Sequence, residues 1–212
     1  MENRENFEMM KETEGDSFTE QLKIEDIPWI RLTTPYGRAD EFERYLKDIQ
    51  KKDLGIIKET MRQIENNVEH QSTLWAVSPV AMVFLTRTFK EIILEEEPDA
   101  CAQYLAEKLL SLFIVMAEAC KMTDDMEHEE PLPFFQDMLK EEYLWSQEYD
   151  EEEDEIRYEE GAFPDDLFYS FYYYSFEELK KLKPLLDKVK NQQLKEKLSN
   201  GIAELKEYLQ EK

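Results

Sequence analysis

The sequence predicts an all-α protein of stacked antiparallel helix pairs, an α-solenoid or helical bundle. Three observations carry that expectation. Glycine is scarce, at 5 of 212 residues, so few positions favour tight turns. Glu, Lys, Leu and Met abound, and these are good helix formers. Apolar residues recur at spacings of three and four along most of the chain, the period of one helix face. Hydrophobic residues make up 42%, enough for one domain with a real core.

Residues 1–20 are charged and aperiodic and read as a frayed arm. From 21 to 212 the chain reads as a single helical domain. A short element over Gln21–Arg31 carries Ile24, Ile27, Trp29 and Ile30 as apolar anchors. Thr33-Thr34-Pro35-Tyr36-Gly37 is a turn, because proline presets one dihedral and glycine tolerates another. Phe42, Leu46 and Ile49 define one face of a helix over Asp40–Gln50. Asp53 is the expected N-cap of the next helix, Leu54 to Val68, with Ile57, Met61, Ile64 and Val68 inward. The short join makes the two a helical hairpin.

His70-Gln71-Ser72-Thr73 is a connector. His70 is placed to bond the last carbonyls of the preceding helix, and Ser72 or Thr73 to cap the following one. That helix, Trp75 to Leu94, accepts Pro79 in its first turn, where no backbone donor is lost. Pro98-Asp99 opens a long helix to Met122. It is apolar nearly all round from Leu109 to Ala119 and so forms the centre of the core. The apolar run Leu109–Ala117 is too short to span a bilayer.

Thr123 to Pro133 is a polar loop. Phe134 to Tyr149 is a helix candidate with Phe135, Met138, Leu139 and Trp145 as its apolar face. Ser175-Phe176-Glu177-Glu178 has the capping-box pattern. The aromatic run Phe168–Tyr174 fits a strand by propensity, but the helical sequence after it favours helix. Pro184 kinks or splits the first C-terminal stretch. In the second, Leu194, Leu198, Ile202, Leu205 and Leu209 line one face. Gly201 there is a local weakness of about 1 kcal/mol relative to alanine.

One block is similar to a known pattern. Tyr36-Gly37-Arg38-Ala39-Asp40, Leu46, Ile49, Asp53, Ile64, His70-Gln71-Ser72-Thr73, Trp75-Ala76, Ser78-Pro79, Ala81 and Phe84-Leu85 resemble bacterial HEAT-repeat-like proteins. There a Tyr-Gly-x-Ala-x-Asp turn precedes a helix pair, and an Ile-x-His-Gln-Gly-Ser/Thr connector leads to an aromatic, an Ala-Thr/Ser pair and a Pro-Phe-Leu run. The resemblance covers residues 30 to 90. The chain departs from it at Ser72, where the family commonly has Gly, and at Val83, where it commonly has Pro. The resemblance implies an α-solenoid, which generally serves as a binding scaffold; some such proteins sit beside bacterial toxins as immunity proteins. Tyr36, Gly37, Asp40, His70, Gln71, Ser72, Trp75 and Pro79 are then motif residues with structural roles.

Charge points to function. Asp and Glu number 50 against 26 Lys and Arg, a formal net of −24. Phosphate backbones and anionic membranes repel such a chain, and cationic surfaces attract it. The acid is densest over Glu148–Glu160, an expected loop near 148–163, where Asp150 to Glu155 are six consecutive carboxylates. The candidate partner-binding set is Glu141, Glu142, Tyr143, Trp145, Glu148, Tyr149, Asp150, Glu151, Glu152, Glu153, Asp154, Glu155 and Tyr158. Its aromatics offer rigid contact area, and its carboxylates offer steering and pairing to Lys or Arg. A solvated acidic loop is the plain alternative.

Enzymatic chemistry is not expected. Neither His70 nor His128 lies three after a Glu, so the paired Glu-x-x-His of a di-iron bundle is missing. Cys101 and Cys120 have no zinc spacing, and on one straight helix they lie roughly 28 Å apart, too far for a disulfide. No Gly-x-Ser-x-Gly or phosphate loop occurs. Taken with what the resemblance implies, the expectation is a cytoplasmic bacterial protein with no metal and no cofactor. It binds a basic protein, such as a toxin domain, as an acidic immunity-type inhibitor, and makes no direct contact with nucleic acid or membrane. A nucleic-acid mimic, or a regulator of a nucleic-acid-binding protein, is the alternative, and a small enzyme on a helical scaffold the second.

Overall fold

A computed structural model describes residues 16–123, 130–148, 150, 152–154 and 163–210. Among them the fold is all-α, apart from two tiny hairpins. In chain order the elements are α1 (Asp16–Gln21), two 3-10 turns (Ile24–Asp26 and Trp29–Arg31), β1 (Thr33–Thr34), β2 (Gly37–Arg38), α2 (Phe42–Asp48), α3 (Leu54–Val68), β3 (Glu69–His70), β4 (Thr73–Leu74), α4 (Val77–Ile93), α5 (Ala100–Lys121), α6 (Asp165–Lys180) and α7 (Gln192–Gln210). Short 3-10 turns cover Phe135–Leu139, Glu141–Tyr143 and Leu186–Lys188.

Helix starts follow local chemistry. Asp53 caps α3, its Oδ1 accepting the backbone N–H of Gly55 at 2.8 Å and of Ile56 at 3.1 Å. Asp99 caps α5 by accepting the Ala102 N–H at 2.9 Å. Each satisfies amide donors that have no carbonyl in their own helix.

The core is built around α5, which packs on α3, α4, α6 and α7. Leu105, Leu109, Leu110, Leu112, Phe113, Met116 and Ala117 on it are buried. By length and composition α5 could cross a membrane; here it is the central helix of the packed core. The residues Leu194, Leu198, Ile202, Leu205 and Leu209 of α7 are all buried, as their spacing predicts.

Gly201 proves to be more than a weak point. A Cβ there would lie 2.8 Å from Leu110 Cδ2 and 3.2 Å from its Cγ. The bare glycine lets α7 approach α5.

Several local expectations fail. The frayed arm ends earlier than residue 20: α1 begins at Asp16, and the Phe18 ring is fully buried, 6.1 Å from Phe135. Residues 1–15 lie outside the described region. Gln21–Arg31 is not one element but the end of α1 and two 3-10 turns, with Trp29 inward and Ile30 outward. Residues 134–148, the described part of the expected helix Phe134–Tyr149, are not an α-helix. They contain two 3-10 turns, the first closed locally by Asp137, whose Oδ2 accepts the Phe134 N–H at 3.1 Å, while the stretch after it is bonded to residues more than 100 positions earlier.

The Ser175 capping box is pre-empted. α6 has already run three turns, and Ser175 Oγ donates to the Phe171 carbonyl at 2.6 Å inside it. The aromatic run Phe168–Tyr174 is helical, as its context favours. α6 ends at Lys180, four residues before Pro184, consistent with the break expected there.

The His70–Thr73 connector is a hairpin, with Glu69 paired to Leu74 and His70 to Thr73. Gln71 and Ser72 occupy its tip at φ 53° and 64°, the left-handed pair of a two-residue turn. His70 therefore does not cap α3, and neither Ser72 nor Thr73 caps α4. Ser78 performs that junction: its Oγ accepts the Trp75 N–H at 2.9 Å and donates to the Val68 carbonyl at 2.5 Å.

Candidate functional site: an acidic segment clamped by two arginines

The hairpin β1–β2 sets the site. Its register opposes Thr33 to Arg38 and Thr34 to Gly37, and Gly37 takes φ 120°, which only glycine adopts without strain. Arg31 and Arg38 thereby flank one small turn, and both reach across to the segment that follows Phe135.

Arg31 meets Glu141 two-pronged, Nη1 to Oε2 and Nη2 to Oε1, each at 2.8 Å. Its Nε donates to the Trp145 carbonyl at 2.5 Å, and the Trp145 N–H returns a bond to the Arg31 carbonyl at 3.1 Å. Arg38 goes deeper. Its Nη2 pairs with Asp154 Oδ2 at 2.5 Å, with both side chains only 5–6% exposed. The same guanidinium donates to the carbonyls of Ser146 (2.8 Å) and Ile30 (3.0 Å) and to Ser146 Oγ (2.8 Å), and lies 5.2 Å from the centre of the Trp145 ring. A fork-shaped donor that cannot lose its charge suits such multipoint work.

The predicted binding residues therefore divide. Asp154 faces inward and belongs to the scaffold, a correction to its place among partner-binding groups. Glu141 is exposed, but Arg31 holds its carboxylate. Tyr143 and Trp145 are half-buried; Tyr143 meets Phe163 edge-on at 6.5 Å. Glu142, Glu148, Asp150, Glu152 and Glu153 point to solvent. Tyr149, Glu151, Glu155 and Tyr158 lie outside the described residues.

The motif residues of the first hairpin meet those of the second. Tyr36 stacks edge-on against His70, ring centres 5.5 Å apart, with its hydroxyl 3.4 Å from Nδ1. Thr33 Oγ1 accepts the Ala76 N–H at 3.3 Å. Asp40 stays local, accepting the Glu41 N–H. Tyr172 of α6 anchors the second hairpin: its hydroxyl accepts the Leu74 N–H at 3.2 Å and donates to the Ser72 carbonyl at 3.3 Å. Burial holds that phenol above its usual pKa. Pro79 is buried in the first turn of α4. The block is a support that sets the hairpins against α4 and α6.

A second charged cluster escaped the sequence reading. Arg87 on α4 donates to the Leu22 carbonyl at 2.7 Å and to the Thr19 carbonyl, closing the end of α1. Glu178, buried on α6, pairs with Lys181 at 2.7 Å. Burial raises the Glu178 carboxyl above the ordinary range, against the pull of Lys181. These groups border a cleft of about 530 Å³ with Val83, Lys90 and Pro184. The signal was the apolar Phe18 just before Thr19, inside a stretch that otherwise looks like a tail.

Among the described residues no group of three or more His, Cys, Asp or Glu side chains could hold a metal ion. Cys101 and Cys120 are not joined in a disulfide, and the Cys120 thiol donates to the Tyr172 carbonyl at 3.3 Å. No family model, no curated protein and no solved structure matches the chain.

Proposed function

We propose that this chain is a protein-binding module, an acidic immunity-type inhibitor that covers a basic protein such as a toxin domain. One observation carries the proposal: the acidic segment is held by Arg31 and Arg38 while Glu142, Glu148, Asp150, Glu152 and Glu153 face outward. A fixed set of carboxylates costs less ordering entropy on binding than a floating one. The net charge of −24 adds long-range attraction to a cationic partner. The resemblance to HEAT-like scaffolds agrees with a binding role.

The test is capture of partners from the source cell at low ionic strength, followed by association kinetics with added salt. A basic partner whose association slows as salt rises is the expected result. Replacing Glu142, Glu148, Glu152 and Glu153 together by Gln slows it further, mainly in the on-rate. A partner set that is wholly neutral or acidic would end this proposal.

A further inference from the structure

α6 carries an exposed tyrosine beside residues 133–135. Tyr173 is 36% exposed, and Phe134, across from it, is 41% exposed. The two border a cleft of about 200 Å³ together with Pro133, Tyr174 and Glu177. On its other side Tyr173 borders a second, smaller cleft of about 70 Å³ with Tyr169, Glu177 and Lys180. Tyr173 is thus a wall between two hollows, and Glu177 reaches both.

The wall is braced. Tyr173 lies 6.3 Å from Tyr169 and 5.1 Å, edge-on, from Tyr174. Tyr174 is itself fixed: its hydroxyl donates to the Leu132 carbonyl at 2.6 Å and its ring meets Phe135 at 5.5 Å. Solvent-facing aromatics that are held in place but add little to the core mark a contact surface.

Glu177 stands four residues after Tyr173, on the same helix face. Its carboxylate pairs with Lys180 at 2.5 Å, both side chains 36% exposed. Surface pairs of this kind are weak and exchange readily.

We infer that Tyr173 and Glu177 form an arginine-recognition site for the basic partner: a guanidinium stacks on the Tyr173 ring and pairs with Glu177 in place of Lys180. Arginine is favoured over lysine because its flat, weakly hydrated head can stack and pair at once, whereas an ammonium gives up its stronger hydration to do so. The inference rests on the proposed basic partner but concerns a contact separate from the carboxylates of residues 142–153.

The experiment titrates the full chain with an oligoarginine peptide and a length-matched oligolysine peptide, by calorimetry at low salt. The wild type should bind the arginine peptide about three- to tenfold more tightly. Tyr173→Ala should abolish the preference and Tyr173→Phe should keep it, because the ring and not the hydroxyl does the stacking. Glu177→Gln should weaken binding of both peptides. If Tyr173→Ala keeps the wild-type arginine preference, or if Tyr173→Phe loses it, the site is overturned while the acidic-segment proposal survives. If the wild type binds neither peptide, both fall.

Discussion

Neutralising Asp154 should release the acidic segment. In Asp154→Asn the shape is kept, but Arg38 loses its buried counter-charge, now held at 2.5 Å. Breaking a buried ion pair by removing one partner costs about 3–5 kcal/mol. Arg38 keeps the carbonyls of Ile30 and Ser146 and the Ser146 hydroxyl, so the lower end, about 3 kcal/mol, applies. The molecule has a cheaper escape than global unfolding, because the segment can lift off and hydrate Arg38. The loss therefore surfaces first as local opening. The reporter is the Trp145 amide, bonded to the Arg31 carbonyl at 3.1 Å. Its hydrogen exchange should accelerate by about 100-fold, the factor that 3 kcal/mol supplies, while amides in α5 change far less. Removing both charges with Arg38→Met and Asp154→Leu should restore much of the protection, since no ion is then left buried and unpaired. Unchanged Trp145 exchange in Asp154→Asn would show that the clamp does not hold the segment, and the case for a preorganised acidic surface would go with it.

Three further outcomes test the scaffold. Asp99→Ala should cost about 1 kcal/mol at neutral pH through the lost cap of α5. The Ala102 N–H, and then Lys52, hold the Asp99 carboxyl below its ordinary value of 3.8; a lowered folded pKa adds stability above the unfolded value and loses it as pH falls through the folded one. Urea unfolding curves of wild type and variant should therefore converge in strong acid, and a gap that persists there contradicts the assignment. Ser72, at φ 64°, occupies the left-handed region that favours glycine. Ser72→Gly should be neutral or slightly stabilising, the relieved strain offsetting the extra unfolded-chain entropy, while the β-branched Ser72→Val should lower thermal stability by about 1–2 kcal/mol; equal melting of the two would refute a strained turn. Gly201→Ala should destabilise by about 0.5–2 kcal/mol, because the push against Leu110 outweighs the gain in helix propensity; a higher urea midpoint would mean that the α5–α7 contact is looser than the geometry implies.

Helix formation was legible wherever the causes lie within a few residues. The caps Asp53 and Asp99, the apolar faces of α3 and α7, and the all-round apolar α5 are local facts of sequence, and they set the all-α class. The acidic segment was legible as a charge anomaly for the same reason. Its conformation was not. Phe135, Met138 and Leu139 have helical spacing and are buried, yet the chain there is a single 3-10 turn, and beyond it Arg31 and Arg38 take up Glu141, the Trp145 backbone, Ser146 and Asp154. No periodicity within residues 134–149 records a partner more than 100 positions away.

The same division runs through the candidate sites. The surplus of 24 negative charges, the order of the helices and the identity of the core faces follow from the sequence alone, because composition and short-range spacing determine them. Which carboxylates face solvent and which are spent inside was decided only when the hairpin register carried Arg31 and Arg38 to the acidic segment. The wall of Tyr173 likewise emerged only when residues 132–135 crossed α6. A charge is visible in a sequence; its neighbour across the fold is not, and the neighbour determines whether that charge is available to a partner.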